Sequence, residues 1–264
     1  ETAPESGIGT VNTVRNTKFE TTFTGGVGLR GNYSAIFNYA MEVSPVDESN
    51  LNQSLIVITP NTIDYSGITE MWTDGSAIAF CPLSEDSYPY DARGIIQHEA
   101  GEHGFGKLGD EYIYHNAFID FCTCLCCEHT ETINNAKALG WYENLSLTGK
   151  MHEVPWSHLI FDDRYSDVVD IYEGGFKHAR GVFRSEQNSC MNNNISYYNA
   201  ISREAIVKRI MEYAGESYSF EKFVENDKRD VVNSLSRSAE RSGVTVRGNQ
   251  YAPRIHKGKP DILK

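Results

Sequence analysis

The chain has 264 residues, of which 40% are hydrophobic and 23% charged, and its formal net charge is −12. That composition supports a packed core and excludes global disorder. The acidic balance argues against nucleic acid as a partner, because phosphate binding draws on Lys and Arg, and no apolar stretch is long enough to span a bilayer.

Glycine breaks mark the early chain, as in TGGVGLRG (24–31). The stretch YSAIFNYAMEVS (33–44) predicts a helix with Ile36, Tyr39 and Ala40 on one face. SLIVITP (54–60) is a continuous apolar run ending in proline, the pattern of a buried central strand. SAIAFCPL (76–83) predicts a second strand, directly before a histidine-bearing helix over ARGIIQHEAGEH (92–103). TETINNAKALGW (130–141) predicts a helix with glycine near its end. ISREAIVKRIMEYAGE (201–216) gives the clearest helical pattern, with Ile206, Ile210 and Tyr213 on one face. Strands come first and helices dominate later without regular alternation, which predicts an α+β fold rather than a doubly wound sheet.

The segment QHEAGEHGFGKLGDEY (97–112) carries the chemistry. A catalytic zinc needs three protein ligands and one open position for water. Zinc-protease helices usually hold two histidines four residues apart, with a glutamate after the first. Here Glu99 follows His98, but the next histidine is His103, five residues on. In an α-helix five residues turn the side chains about 140° apart. One inserted residue, absorbed as a π-bulge, restores a shared face, and Gly101 lowers the steric cost of an irregular turn. His98 and His103 are therefore expected as ligands. Glu99 is expected as the general base, taking a proton from water acidified by zinc. An alternative register would use Glu102, four residues after His98, and turn His103 away.

The third ligand should follow a sharp turn. Gly106 stands three residues after His103, where zinc proteases that return a ligand from below the helix place a glycine. Their usual third ligand would fall on Gly109, which has no side chain. Asp110, one residue later, is the expected ligand, ahead of Glu111 and then His115. Gly104, Gly106 and Gly109 are expected to permit the turn.

HEAGEHGFGKLGDEY resembles the signature of the bacterial IgA peptidase family, zinc metallopeptidases of the metzincin-like group, with Leu108, Asp110, Glu111 and Tyr112 matching its Leu-x-Asp-Glu-Tyr element. A similar longer histidine spacing occurs in the dipeptidyl peptidase III family. The likeness extends less specifically over about residues 50–225, including SCMNNN and YYNAISREAIVKRI. It implies a zincin or metzincin-like catalytic domain, with a twisted mixed sheet, an active-site helix and a mostly helical C-terminal part. It also implies one catalytic zinc and peptide-bond hydrolysis in an extracellular protein, such as an immunoglobulin or a mucosal glycoprotein. Metzincin-like enzymes set a methionine on a tight turn under the metal, and Met191 in SCMNNNISYY (189–198) fits that place as a hydrophobic floor. Tyr197, Tyr198 and Tyr112 are the expected choices for an oxyanion stabiliser. SAIAFCPL would be the edge strand that receives an extended substrate.

FCTCLCCEH (121–129) holds Cys122, Cys124, Cys126 and Cys127, and Cys81 and Cys190 complete six cysteines. The spacing matches no common zinc ribbon. In an exported protein, disulfides to Cys81 or Cys190, or free thiols, are expected before a second metal site. Residues 226–264 carry nine Lys or Arg against four Asp or Glu, leaving −17 on the rest. The expected organisation is a catalytic domain over 1–225 and a basic extension over 226–264 docked on it. The chain begins at Glu1 without a methionine. That reads as a processed product and sets the expectation of a secreted, periplasmic or cell-surface protein. Two rivals stand beside the zinc endopeptidase: a non-catalytic host-protein or carbohydrate-binding module on a zincin scaffold, and an oxidoreductase built on the cysteine run.

Overall fold

The computed structural model describes residues 5, 7–25, 28–121, 129–229 and 253–262. Through the first half of the chain the elements are β1 (Thr22–Phe23), β2 (Leu29–Arg30), α1 (Tyr33–Ala40), β3 (Leu55–Ile58), β4 (Ile68–Trp72), β5 (Ala77–Phe80) and α2 (Ala92–Ile96), which continues as a π-helix over Gln97–Phe105. There follow β6 (Ile113–Phe118), α3 (Thr130–Ala138), β7 (Leu145–Ser146), α4 (Ser157–Ile160), β8 (Tyr172–Gly175), β9 (Lys177–Arg184), α5 (Cys190–Asn193), α6 (Ala200–Tyr213), α7 (Phe220–Asn226) and β10 (Arg254–His256). The fold is α+β with mixed sheets. It divides into two compact units, Glu1–Phe105 with Arg247–Lys264, and Gly106–Val246. The division falls inside the 1–225 span expected as the catalytic domain. No helix among the described residues is long and apolar enough to cross a membrane.

The first unit is built on a four-stranded sheet in the order β10-β4-β5-β3. Alternation along β5 sorts its side chains onto two faces. Ile78 and Phe80 join Ile36 and Phe37 of α1, while Ala79 and Cys81 join Ile95 and Ala100 of the helical segment. Small residues on that second face let the helix approach closely. α1 starts at Asn32, whose side chain accepts from the Ala35 N–H at 3.1 Å. Its buried residues are Ile36 and Phe37, whereas Tyr39, expected inside, is 39% exposed.

Two expectations about this sheet are exchanged. β5 is not an edge. It pairs antiparallel with β4 and parallel with β3, and all four of its residues are buried, so it has no free backbone edge for strand addition. β3, expected in the centre, lies at the edge, with Ile56 and Ile58 packed on the core and the partly exposed Leu55 and Val57 on the opposite face, where Leu55 meets Gly104 of the helix. The far edge is β10, which runs parallel to β4 in the register Arg254↔Glu70 and His256↔Trp72. The fully buried Glu70 holds it there. That carboxylate accepts from Tyr33 Oη at 2.8 Å and Arg254 Nη1 at 2.9 Å, and lies 2.8 Å from His256 Nε2. Of the expected basic extension, 254–256 thus form a strand of this sheet, and 230–252 lie outside the described residues.

The second unit also contains a sheet, which corrects the expectation of a mostly helical C-terminal part. β9 pairs parallel with β6 and antiparallel with β7 and β8. YEGGFKHARGVFR hides these strands from a periodicity reading because glycine interrupts it, with Gly174 at φ +108° and Gly181 at φ +83°. The core gathers Trp156, Leu159, Tyr165, Val168, Val169, Ala200, Ile201 and Phe223. α6 forms where expected, but it buries Ile201, Glu204 and Ala205 and exposes Ile210 and Tyr213 at 50% and 40%. Its N-terminal half is embedded and its C-terminal half emerges, so the apolar face read from the sequence is not the face that packs.

Buried acceptors fix the start of α6. Asn199 caps it through the Ser202 N–H at 3.0 Å, and Glu186 Oε1 accepts from the Ala200 N–H at 2.7 Å. Burial pushes the Glu186 carboxyl up to about 7, against the hydrogen bonds it receives from Tyr197 and the Ala200 N–H. Folded Glu186 therefore keeps its proton up to about pH 7, while the unfolded chain loses it near 4.5. Between those values the folded state binds more protons, so this group's contribution to stability falls as pH rises through the window. Glu186→Gln should flatten that decline in urea midpoints measured from pH 5 to pH 8; an unchanged slope would show that Glu186 does not set it.

Candidate metal centre

α2 begins at Asp91, whose side chain accepts from the Gly94 N–H at 3.3 Å. Its C-terminal continuation is not α-helical. Residues Gln97–Phe105 form a π-helix, in which the i→i+5 hydrogen bond brings residues five apart to one side. His98 and His103 accordingly face each other, with ring centroids 4.7 Å apart and planes at 84°. Both are buried, as are Glu99, Glu102 and Gly104. Gly104 serves this packing through its size: a Cβ there would stand 2.7 Å from Leu55 Cδ1.

The helix ends at Phe105, and the turn that follows is made differently from expectation. Gly104, Gly106 and Gly109 are not in the left-handed region; Lys107 is, at φ +55°. Gly109 is required for close approach, since a Cβ would stand 2.5 Å from Leu145 Cδ1 and 3.2 Å from Tyr142 Cγ. Asn144 clamps this residue through both ends of its amide, accepting from Gly109 N at 2.9 Å and donating to Gly109 O at 2.7 Å. The next residue is Asp110, fully buried, with its carbonyl accepting from Phe176 N at 2.8 Å.

Along this continuous stretch, His98, His103 and Asp110 each offer a ligand atom, and those atoms lie within 4.8 Å of one another. This buried group can hold a metal ion. It is the one such group of three among the described residues, and it contains neither Glu102 nor His115. Two imidazole nitrogens and a carboxylate oxygen are donors that divalent metal ions take.

Glu111, the second choice for a ligand, has a different role. Its carboxylate is fully buried and takes hydrogen bonds from Ser189 Oγ at 2.5 Å, Asn144 Nδ2 at 2.9 Å and Asn199 Nδ2 at 2.9 Å. Burial raises its carboxyl above the usual range, even though all three bonds favour the charged form. Its own N–H donates to Met191 O at 3.0 Å. Met191 is fully buried against Leu108 and Ala205. The residues around it form a single helical turn, α5, capped by Ser189 and closed by Asn194 in the left-handed region. Glu111 thus ties the ligand-bearing segment to that turn and to the start of α6. Sequence reasoning missed Asn144, Ser189 and Asn199; the only local signal was their preference for helix caps and turns.

The tyrosines expected at an oxyanion do not share one place. Tyr197 is buried and its hydroxyl donates to Glu186 Oε2 at 2.6 Å, which commits it to the α6 start. Tyr198 lines a cavity of about 440 Å³ between α6 and α7, with Arg203, Met211 and Phe223. Tyr112 is buried beside Tyr114, ring centroids 4.8 Å apart, and its carbonyl accepts from Lys177 N. Cys81 and Cys190 are both fully buried. Cys122, Cys124, Cys126 and Cys127 lie outside the described residues.

No family model matches the chain, and no curated protein matches it.

The assignments of Asp110 and Glu111 separate experimentally. Asp110→Ala should keep the fold and lower zinc affinity by about 10-fold or more, because one of three ligand side chains is removed. Glu111→Gln turns an amide N–H₂ toward existing donors and should cost about 1–3 kcal/mol of stability. Calorimetric zinc titration and urea unfolding of both variants check this; equal zinc loss in the two would merge the roles.

Proposed function

We propose that the chain is a zinc-dependent endopeptidase that hydrolyses peptide bonds of an extracellular protein. The observation that carries this reading is the buried set His98, His103 and Asp110, with Glu99 directly after the first ligand on the same π-helix. His98, His103 and Asp110 would hold the ion. When bound, zinc supplies Lewis-acid polarisation of the scissile carbonyl and acidifies water.

The protein's own part is proton transfer. Glu99 is 8% exposed, and its carboxylate packs against Gly67 and the Thr69 hydroxyl. It takes the proton of the attacking water and delivers it to the leaving amine nitrogen as the C–N bond breaks. The same carboxylate thus serves first as base and then as acid. A buried, fixed carboxylate next to a ligand has no evident use in a module that only binds, which favours turnover over the non-catalytic alternative. The substrate class, an immunoglobulin or mucosal glycoprotein, rests on the sequence resemblance.

Glu99→Gln keeps all three ligands. It should retain one zinc per chain and lose peptide hydrolysis by about 10²-fold to 10⁴-fold, measured by metal analysis and by cleavage of a peptide library. Full activity in the zinc-loaded variant would remove Glu99 from the mechanism.

A further inference from the structure

We infer that Thr69 and Gly67, on β4 and just before it, are the positioning residues of Glu99, an inference that rests on Glu99 being the proton carrier. Thr69 is fully buried, and its Oγ lies 2.8 Å from the Glu99 carbonyl oxygen and 2.9 Å from Glu99 Oε2. A threonine hydroxyl has one proton to donate and lone pairs to accept. Two acceptors on the same residue therefore compete for a single proton.

The hydroxyl thus lies against both the main chain and the side chain of Glu99 from one buried atom of β4, so the strand sets where the carboxylate stands relative to its own backbone. A valine has the same shape and can make neither hydrogen bond.

Gly67 closes the other side. A Cβ on it would stand 2.8 Å from Glu99 Oε1 and 3.1 Å from Glu99 Cγ. Its φ is not in the left-handed region, so the requirement is for space and not for backbone freedom. Bare backbone thus faces one carboxylate oxygen while the Thr69 hydroxyl holds the other. The three atoms nearest an alanine Cβ at 67 would all belong to the Glu99 side chain, so the carboxylate would have to move.

Thr69→Val, Thr69→Ser and Gly67→Ala, with Glu99→Gln as reference, test this through two independent readouts. One is kcat and KM on a peptide that the zinc-loaded wild type cleaves. The other is the visible absorption spectrum of the cobalt(II)-substituted protein, with far-UV circular dichroism and metal content as controls. Thr69→Val and Gly67→Ala should keep the fold and one metal, lower kcat about 10²-fold through misplacement of the base, and change KM less than about threefold. Their cobalt spectra should shift in the direction Glu99→Gln shifts them, and Thr69→Ser should restore both readouts. Wild-type kcat and spectra in Thr69→Val and Gly67→Ala would overturn the inference. If the wild type cleaves no peptide, the proteolytic reading fails, and the cobalt spectra alone decide whether Thr69 and Gly67 position Glu99.

Discussion

Two imidazoles five residues apart in sequence can face one ion only if the helix between them takes in an extra residue. An α-helix turns about 100° per residue and would direct His98 and His103 about 140° apart. The π-helix at Gln97–Phe105 resolves this by closing its hydrogen bonds one residue later. The local environment fits that widened turn. Gly104 admits Leu55 against the helix, and Thr69 supplies a hydroxyl to the carbonyl of Glu99 within it. Sheet, helix and base are therefore coupled through β4. The strand that packs under the helix also fixes the main chain and the carboxylate of the residue proposed to move protons.

The third ligand depends on a different set of contacts. Asp110 stands between Gly109, clamped by Asn144, and Glu111, whose buried carboxylate gathers Asn144, Ser189 and Asn199. A lone buried carboxylate is costly, and one that satisfies three donors while its N–H reaches Met191 is a rigid hub. The two adjacent acids are thus divided in purpose. Asp110 offers an oxygen to a metal, and Glu111 holds the backbone that presents it. Met191 contributes as packing against Leu108 and as the carbonyl that receives Glu111 N–H.

What was legible in the sequence follows from how local each feature is. His98, Glu99, His103 and Asp110 lie within thirteen consecutive positions, and the geometric misfit of their spacing itself pointed to a widened turn. The class of fold was legible for the same reason, since each helix and strand pattern is written in a short window. Strand order is not local. SLIVITP and SAIAFCPL are both short apolar runs, and which of them is central was decided by β4 and β10, the latter brought in by Glu70 from nearly two hundred residues away. The hub on Glu111 was equally hidden, because its partners are ordinary Asn and Ser residues 33 to 88 positions distant. Glycine misled in the loop: the left-handed residue is Lys107, while Gly109 is there to let Leu145 and Tyr142 pack.

The central claim, that one metal is held by His98, His103 and Asp110, meets its most direct test in crystals of the zinc-loaded protein measured on both sides of the zinc absorption edge. The account predicts one anomalous peak, about 2.0–2.1 Å from a nitrogen of each histidine and about 2.0–2.2 Å from an oxygen of Asp110, with Glu99 beside it and not bound to it. A peak coordinated by Glu102 in place of His103, or by Glu111 in place of Asp110, would contradict it, as would the absence of any peak on the π-helix.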